Sequence, residues 1–514
     1  MNMNTLKFLS VIIFVSIINA LPINHEFRAS WVITWEYISA TQTSEETMAR
    51  IDEIMDNHSL ANMTAVYFQA RQSGTSYYNS SFEPWGYHTG YTNPGFDPLE
   101  YAIEAAHDRG LELHAWFNVF QASSMHEGAP AQVHPEWVCR DRDGEPMASN
   151  RSLSPGLESV RDYTIDVAME IVNNYDIDGL HLDYVRWNEY SNNSLSNLPE
   201  NQIEEIHMID GIISDEALAV IEDTRTGRYL YDIDHSYSGG VPDDFSNWEE
   251  WWRSGVTTFV SDLHDSIQTV KPHVRLSAAV LGRYNWGGWQ GYGTVYQDGA
   301  LWLNEGFVDQ LTPMHYHWTT PTSFVQMLSG SNESWSPYIQ QGINQGRLFT
   351  AGPGSYVLAE QNLWNNHNGI VNAVRNIQFV DGFQFFSNGT WEDYQYWEEA
   401  GHTFFKDKSI VRNITEYENN SESPPNPSAI LNQINELEYQ INISTNSQDE
   451  PIWTTVSLIP SDSSDVSQKI YSTHFSSGDI IAPLNFDGLQ LYEGTYDVLM
   501  QNYNRFWVGS ENIA

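Results

Sequence analysis

The stretch Asp178-Gly179-Leu180-His181-Leu182-Asp183-Tyr184-Val185-Arg186 decides how this chain is read. Gly179 to Asp183 is a short, mostly apolar run between turn signals, which reads as a buried strand that ends on a carboxylate. A helical run, Val160 to Asn173, precedes it, and a second, Asn247 to Val270, follows and stops before Pro272. A strand flanked by helices is the repeating unit of a parallel sheet, because parallel strands need a crossover between them.

The same alternation continues outward in both directions. Toward the N-terminus lie Leu111 to Phe117 as a strand, and a helix opened by Pro98 and stopped by Gly110. Before these come the strand Ala65 to Gln69, a helix capped by Ser44 with Met48, Ile51, Ile54 and Met55 on one face, and the strand Ala29 to Thr34. Toward the C-terminus, strands are predicted at Arg275 to Val280, Gln310 to Met314, Leu348 to Ala351 and Gly382 to Phe386. They alternate with helices at Gly299 to Glu305, Thr322 to Leu328, Gln361 to Ile377 and Glu392 to Phe405. Eight βα units in order predict an α/β chain closed into a (β/α)8 TIM barrel. An open doubly wound sheet is the rival, but no Gly-rich phosphate loop follows the first strand.

Loop lengths show which end works. Segments after strands are long (about 70–97, 118–157 and 184–246), whereas segments after helices are short, as in Asp108-Arg109-Gly110. In a barrel the βα loops share one face, and that face carries active sites. The barrel is assigned to 21–412. Residues 413–428 include the polar, proline-rich run 419–428 and read as a linker. Residues 429–514, with alternating runs at Tyr439 to Ile443, Trp453 to Leu458, Ile470 to His474 and Tyr496 to Gln501, read as a small all-β sandwich-like domain.

Residues 1–20 read as an export signal: Lys7, then an apolar run from Phe8 to Ile18, then Asn19-Ala20 as a cleavage point. The run is too short to span a bilayer comfortably, so a secreted, cell-surface or periplasmic protein without stable membrane insertion is expected. Sequons at Asn57, Asn62, Asn79, Asn150, Asn332, Asn388, Asn413 and Asn442 agree with export, although an Asn-rich chain also produces them by chance. With 67 acidic against 23 basic side chains, the formal charge is -44, a field that repels nucleic acid and anionic membranes and suits a neutral substrate. One cysteine, Cys139, allows no internal disulfide. No signature of a particular oligomer is present.

Candidate site residues are those that strand ends bring to the mouth. Asp183 closes the fourth strand; His181 shares its side, and Arg186 lies in the following loop, placed to hold Asp183 ionised. Trp35 and Glu36 follow the first strand, Gln69 and Arg71 end the second, and His114, Trp116 and Asn118 alternate on one side of the third. Tyr316 and Trp318 follow the sixth. Aromatic faces beside amides and carboxylates are what sugar rings require. Asp183 is expected to stand ionised in an open, aromatic-lined basin. No metal is expected: His315-x-His317 lacks a His-Glu-x-x-His or Cys-pair partner. No cofactor is expected either; the chain has no P-loop and no Gly-x-Ser-x-Gly elbow.

Several segments carry a family resemblance: Phe27-Arg28-Ala29-Ser30-Trp31-Val32, Val66-Tyr67-Phe68-Gln69-Ala70-Arg71, Asp97 to Ile103, His107 to Asn118, His134-Pro135-Glu136-Trp137, the Asp183 strand and Trp251-Trp252-Arg253. The chain resembles the glycosyl hydrolase-like family 10 barrels over about 26–405. That resemblance implies a glycoside hydrolase-type barrel, with bacterial relatives linked to cell-wall glycan. The Asp183 strand is also similar to the nucleophile strand of α-amylase-type barrels, but it carries His181 where those have Arg, and the fifth strand ends without their acid.

Most glycosidases use two carboxyls. Asp183 is the first, as nucleophile or base, and Glu36 is the favoured acid, with Glu136, Asp298 and Glu392 behind it. Gln69, Arg71, His114, Trp116, Asn118, His181, Arg186, Tyr316 and Trp318 are expected to hold a polysaccharide or oligosaccharide. Two rivals stay open: a glycan-binding barrel that has lost its catalytic pair, and a carbohydrate lyase.

Overall fold

A computed structural model describes residues 25–148, 150–187 and 228–412, and beyond them 414, 422–433, 439–444, 452–460, 469–475, 479–483, 496–507 and 509–510. The expected export signal lies outside the described residues. Eight parallel strands form a closed barrel: β1 (Phe27–Val32), β2 (Ala65–Gln72), β3 (Glu112–Asn118), β4 (Gly179–Asp183), β5 (Arg275–Leu281), β6 (Gln310–Met314), β7 (Leu348–Ala351) and β8 (Gly382–Phe385). Each pairs with the next, and β1 pairs with both β2 and β8, which closes the ring. The (β/α)8 expectation is borne out.

Local chemistry sets the helices that cover the barrel. Helix α1 (Ser44–Leu60) starts on a capping box, with the Thr43 hydroxyl accepting from Glu46 N and the Glu46 carboxylate accepting from Thr43 N. Helix α2 (Pro98–His107) starts with Asp97 accepting from Leu99 N and Glu100 N, and with Pro98 in its first turn. Helices α3 (Glu158–Asn174) and α4 (Trp248–Val270) follow β3 and β4. The helices expected at Gln361 to Ile377 and Glu392 to Phe405 are shorter than predicted. Asn362 and Gln395 take left-handed backbone (φ 58° and 50°), so the first is reduced to Asn366–Val374, with a separate helix Ser355–Glu360 before it, and the second is replaced by Asn388–Asp393 and Trp397–His402.

Strand periodicity divides the core in two. Val32, Val66, Phe68, Leu113, Leu180, Leu182 and Leu276 pack outward under the helices. Phe27, Ala29, Trp31, Tyr67, Trp116 and Ala279 fill the barrel interior. The interior is tight: a Cβ on Gly179 would lie 2.1 Å from His114 Nδ1, so glycine is what lets that imidazole fit against β4.

The C-terminal segment folds into two three-stranded antiparallel sheets, β9 (Ser428–Gln433), β10 (Tyr439–Ser444) and β13 (Asp479–Pro483) in one, and β11 (Ile452–Pro460), β12 (Lys469–Phe475) and β14 (Tyr496–Tyr503) in the other. Trp453, Tyr503 and Trp507 join the cluster that lines the barrel interior. Trp507 Nε1 donates to Glu112 at 2.6 Å, and Arg505 pairs with Asp176 at 2.5 Å. Glu112 opens β3 and Asp176 precedes β4, so this segment covers the barrel at the amino ends of its strands, away from the mouth.

Candidate active site

The carboxyl ends of β1 to β3 are joined by side-chain amides, and a backbone bond extends the link to β4. Gln69 Oε1 accepts from Thr34 N at 3.2 Å, its amide nitrogen reaches Asn118 Oδ1 at 3.5 Å, and Asn118 Nδ2 donates to Gln121 Oε1 at 3.0 Å. Asn118 is the register partner of Asp183, and Asp183 O accepts from Val119 N at 2.7 Å. The amide chain thus ends at Gln121, on the loop after the strand that pairs with the one carrying Asp183.

Asp183 is 6% exposed, not the open position expected. The cause is the turn behind it: Tyr184 takes φ 51°, and its own N–H donates to Asp183 Oδ1 at 2.7 Å. The Arg186 guanidinium lies 4.5 Å over the Tyr184 ring. Tyr316 is near enough that the Asp183 charge adds to burial in raising its phenol well above the ordinary range. Tyr316 packs at 5.6 Å from both Tyr356 and Phe386, which gathers aromatic rings near Asp183. Trp318 lies half-buried under the Arg283 guanidinium, 5.5 Å away.

Glu36 sits in the short helix Thr34–Tyr37, where Oε2 accepts from Ile33 N at 3.1 Å. Its other oxygen crosses to the end of β8, accepting from Gly389 N at 3.0 Å and Ser387 Oγ at 3.2 Å. A Cβ on Gly389 would come within 2.7 Å of that oxygen. Burial pushes the carboxyl up to about 7, and the hydrogen bonds from Ile33, Gly389 and Ser387 oppose this without reversing it. A carboxyl poised there is suited to general-acid work at neutral pH. Of the weaker candidate acids, Glu392 pairs with Arg50, Asp298 caps Gly299–Glu305 while accepting from Tyr284 OH, and Glu136 pairs with His134 at 3.0 Å.

Four expected substrate contacts lie elsewhere. Arg71 is fully buried: a bulge between Gln69 and Arg71 shifts the register, and the guanidinium grips Glu83 with two bonds at 2.8 and 2.6 Å. It ties the long loop after β2 to the barrel. His114 is fully buried and bonds Glu112 at 2.9 Å near the amino end of β3, four residues below Asn118. Burial alone would raise the Glu112 carboxyl, but Arg275 and His114 outweigh it and hold it below its ordinary value. His181 is likewise interior, bonded through Nδ1 to Ser277 Oγ at 2.7 Å and stacked on Tyr67 at 4.0 Å. Burial drives its imidazole far below the ordinary range, so it is neutral. Trp116 is 3% exposed and meets Trp31 edge-on at 4.9 Å. Asn388, read as a sequon, is fully buried beside Glu36, which excludes a glycan there in the folded chain. His315 Nδ1 is already committed to Gly352 N at 3.0 Å. Among the described residues no three His, Cys, Asp or Glu side chains gather as a metal site, and no helix is long and apolar enough to cross a membrane.

Phe386 and Tyr356, which pack on Tyr316, were not singled out from the sequence; Tyr356 sits in a short helix after β7 that the periodicity did not separate.

The family model described as glycosyl hydrolase-like 10 matches residues 26–346. Glycosyl hydrolase YngK of Bacillus subtilis (strain 168) is 26% identical over 319 residues, covering 57% of this chain and 54% of the relative. Glycosyl hydrolase DigH of Escherichia coli (strain K12) is 24% identical over 329 residues, covering 56% and 65%. The chain therefore spans between half and two thirds of the length of these relatives. A solved PgaB (BpsB) glycoside hydrolase domain from Bordetella bronchiseptica overlays 76% of this chain with a TM-score of 0.44 at 13% identity.

Proposed function

Because the chain belongs to the glycosyl hydrolase-like 10 family, we propose that it is an exported glycoside hydrolase that cleaves a polysaccharide or oligosaccharide by carboxylate acid–base catalysis. The observation that supports this reading is that two carboxyls, Glu36 just after β1 and Asp183 at the end of β4, both stand at the carboxyl ends of barrel strands. Glu36, raised to about 7, is the acid that protonates the leaving oxygen. Asp183, at the end of β4, attacks the sugar or activates water. Gln69, Asn118, Arg186, Tyr316 and Trp318 hold the sugar, and the reacting ring sits deep, against the floor where Asp183 lies. A carboxyl separation of about 5 Å would give retention and roughly 6.5–9.5 Å inversion.

A glycan-binding barrel without catalysis is the second reading. It is favoured by the slight exposure of Asp183 and by β5, which ends in Val280-Leu281-Gly282 with no acid. Incubation of the protein and Glu36→Gln with a panel of glycans, assayed for new reducing ends, separates the two. Reducing ends from wild type, reduced by about 100-fold or more in the variant, support the hydrolase. Binding with no new ends supports the second reading, and ultraviolet-absorbing unsaturated products would point to a lyase.

A further inference from the structure

The loops after the first three strands carry a row of aromatic rings beside the mouth. Trp35, next to Glu36, is 56% exposed, and its ring lies 5.9 Å from His88. His88 is 5.3 Å from Tyr87, Tyr87 is 6.1 Å from Tyr91, and Tyr91 stacks on His126 at 3.9 Å with 3° between planes. Tyr87 is 69% exposed and Met125, beside His126, is 48% exposed. The row comes from three separate loops, so no single stretch of sequence announces it.

The turn that presents Tyr87 is held firmly. Thr89 Oγ1 donates to Gly86 O at 2.9 Å, His88 N donates to Tyr77 OH at 3.3 Å, and a Cβ on Gly86 would strike the buried Tyr77 ring at 2.3 Å. A ligand meeting preset rings loses little entropy in ordering them. Trp35 and Tyr87 are the exposed members of this group, and His88 lies in ring contact with both. Its chemistry narrows the partner. Residues 34–49, 73–97 and 119–139 contain no Lys or Arg but several acids, which repels polyanions and anionic membranes. Exposed rings such as Trp35 and Tyr87, with no Lys or Arg in their loops, suit the C–H faces of neutral sugars.

We propose that Trp35, His88, Tyr87, Tyr91 and His126 form a stacking platform that leads a neutral glycan chain to the mouth beside Glu36, making the ligand a polymer or long oligosaccharide. The proposal rests on the glycan reading above but not on hydrolysis.

The test is affinity electrophoresis with glycol chitin, hydroxyethyl cellulose, galactomannan and soluble starch, using wild type, Trp35→Ala, Tyr87→Ala and Phe82→Ala. Phe82 is an exposed aromatic outside the row. All three positions are exposed, so unchanged melting temperatures are expected. Wild type is expected to be retarded by at least one polymer and to prefer it to the matching trisaccharide. Trp35→Ala and Tyr87→Ala should each weaken polymer binding about 10-fold and abolish that preference, with Phe82→Ala unchanged. Wild-type binding that survives both substitutions, or no binding to any of the polymers, overturns the platform. Binding without new reducing ends would sink the hydrolase reading and leave the platform standing.

Discussion

Glu36 Oε1 accepts the Gly389 backbone N–H at 3.0 Å, so the end of β1 is tied to the start of the helix that follows β8. This contact fixes a carboxyl whose burial raises it to about 7. A general acid must be protonated, so kcat/KM should fall as pH rises through about 7. Glu36→Gln should lower kcat by about 10²- to 10⁴-fold and remove the alkaline limb, with the smallest loss on aryl glycosides whose leaving group needs no proton. Gly389→Ala, which drives a methyl against the same oxygen, should move the alkaline limb. A pH–rate profile of the three proteins checks this; an alkaline limb unchanged in Glu36→Gln would remove Glu36 from the acid role.

Arg71 and Glu83 form a fully buried, doubly bonded pair. Removing one partner leaves the other charged and enclosed, at a cost of about 3–5 kcal/mol. Arg71→Ala should therefore lower stability by that order in urea unfolding. Arg71→Lys should recover only part of it, because an ammonium cannot reproduce the planar two-bond grip. A loss below about 1 kcal/mol in Arg71→Ala would show that the long loop after β2 is anchored by other contacts.

Trp507 closes the amino end of the barrel through its bond to Glu112, which also carries Arg275 and His114. Trp507→Phe keeps most of the ring and removes the donor to a buried charged acceptor, a change worth about 1.5–3 kcal/mol. Calorimetry should show a lower melting temperature, while turnover at the opposite face stays the same. An unchanged melting temperature would mean that the C-terminal sheets do not brace the barrel.

Most of the fold was legible because strand and helix periods differ, and β4, β6 and β7 fall at their expected limits. The site was legible only in part. Period two shows which side a strand residue faces but not its depth. His114 and Trp116 share the side of Asn118 yet sit lower in the barrel, one bonded to Glu112 and the other packed on Trp31. Arg71 failed for another reason: a bulge changes the phase after Gln69, and nothing local in Gln69-Ala70-Arg71 marks it. The aromatic row and the Trp507–Glu112 contact join residues far apart in the chain, so they appear only once the barrel closes.

The most direct test of the account is Asp183→Asn, with initial rates of reducing-end release and glycan affinity measured on the same preparation. Asp183→Asn should lower kcat by about 1000-fold or more with Kd within a few-fold of wild type, because the amide keeps the shape and cannot serve as nucleophile or base. Asp183→Asn turning over at the wild-type rate would contradict it.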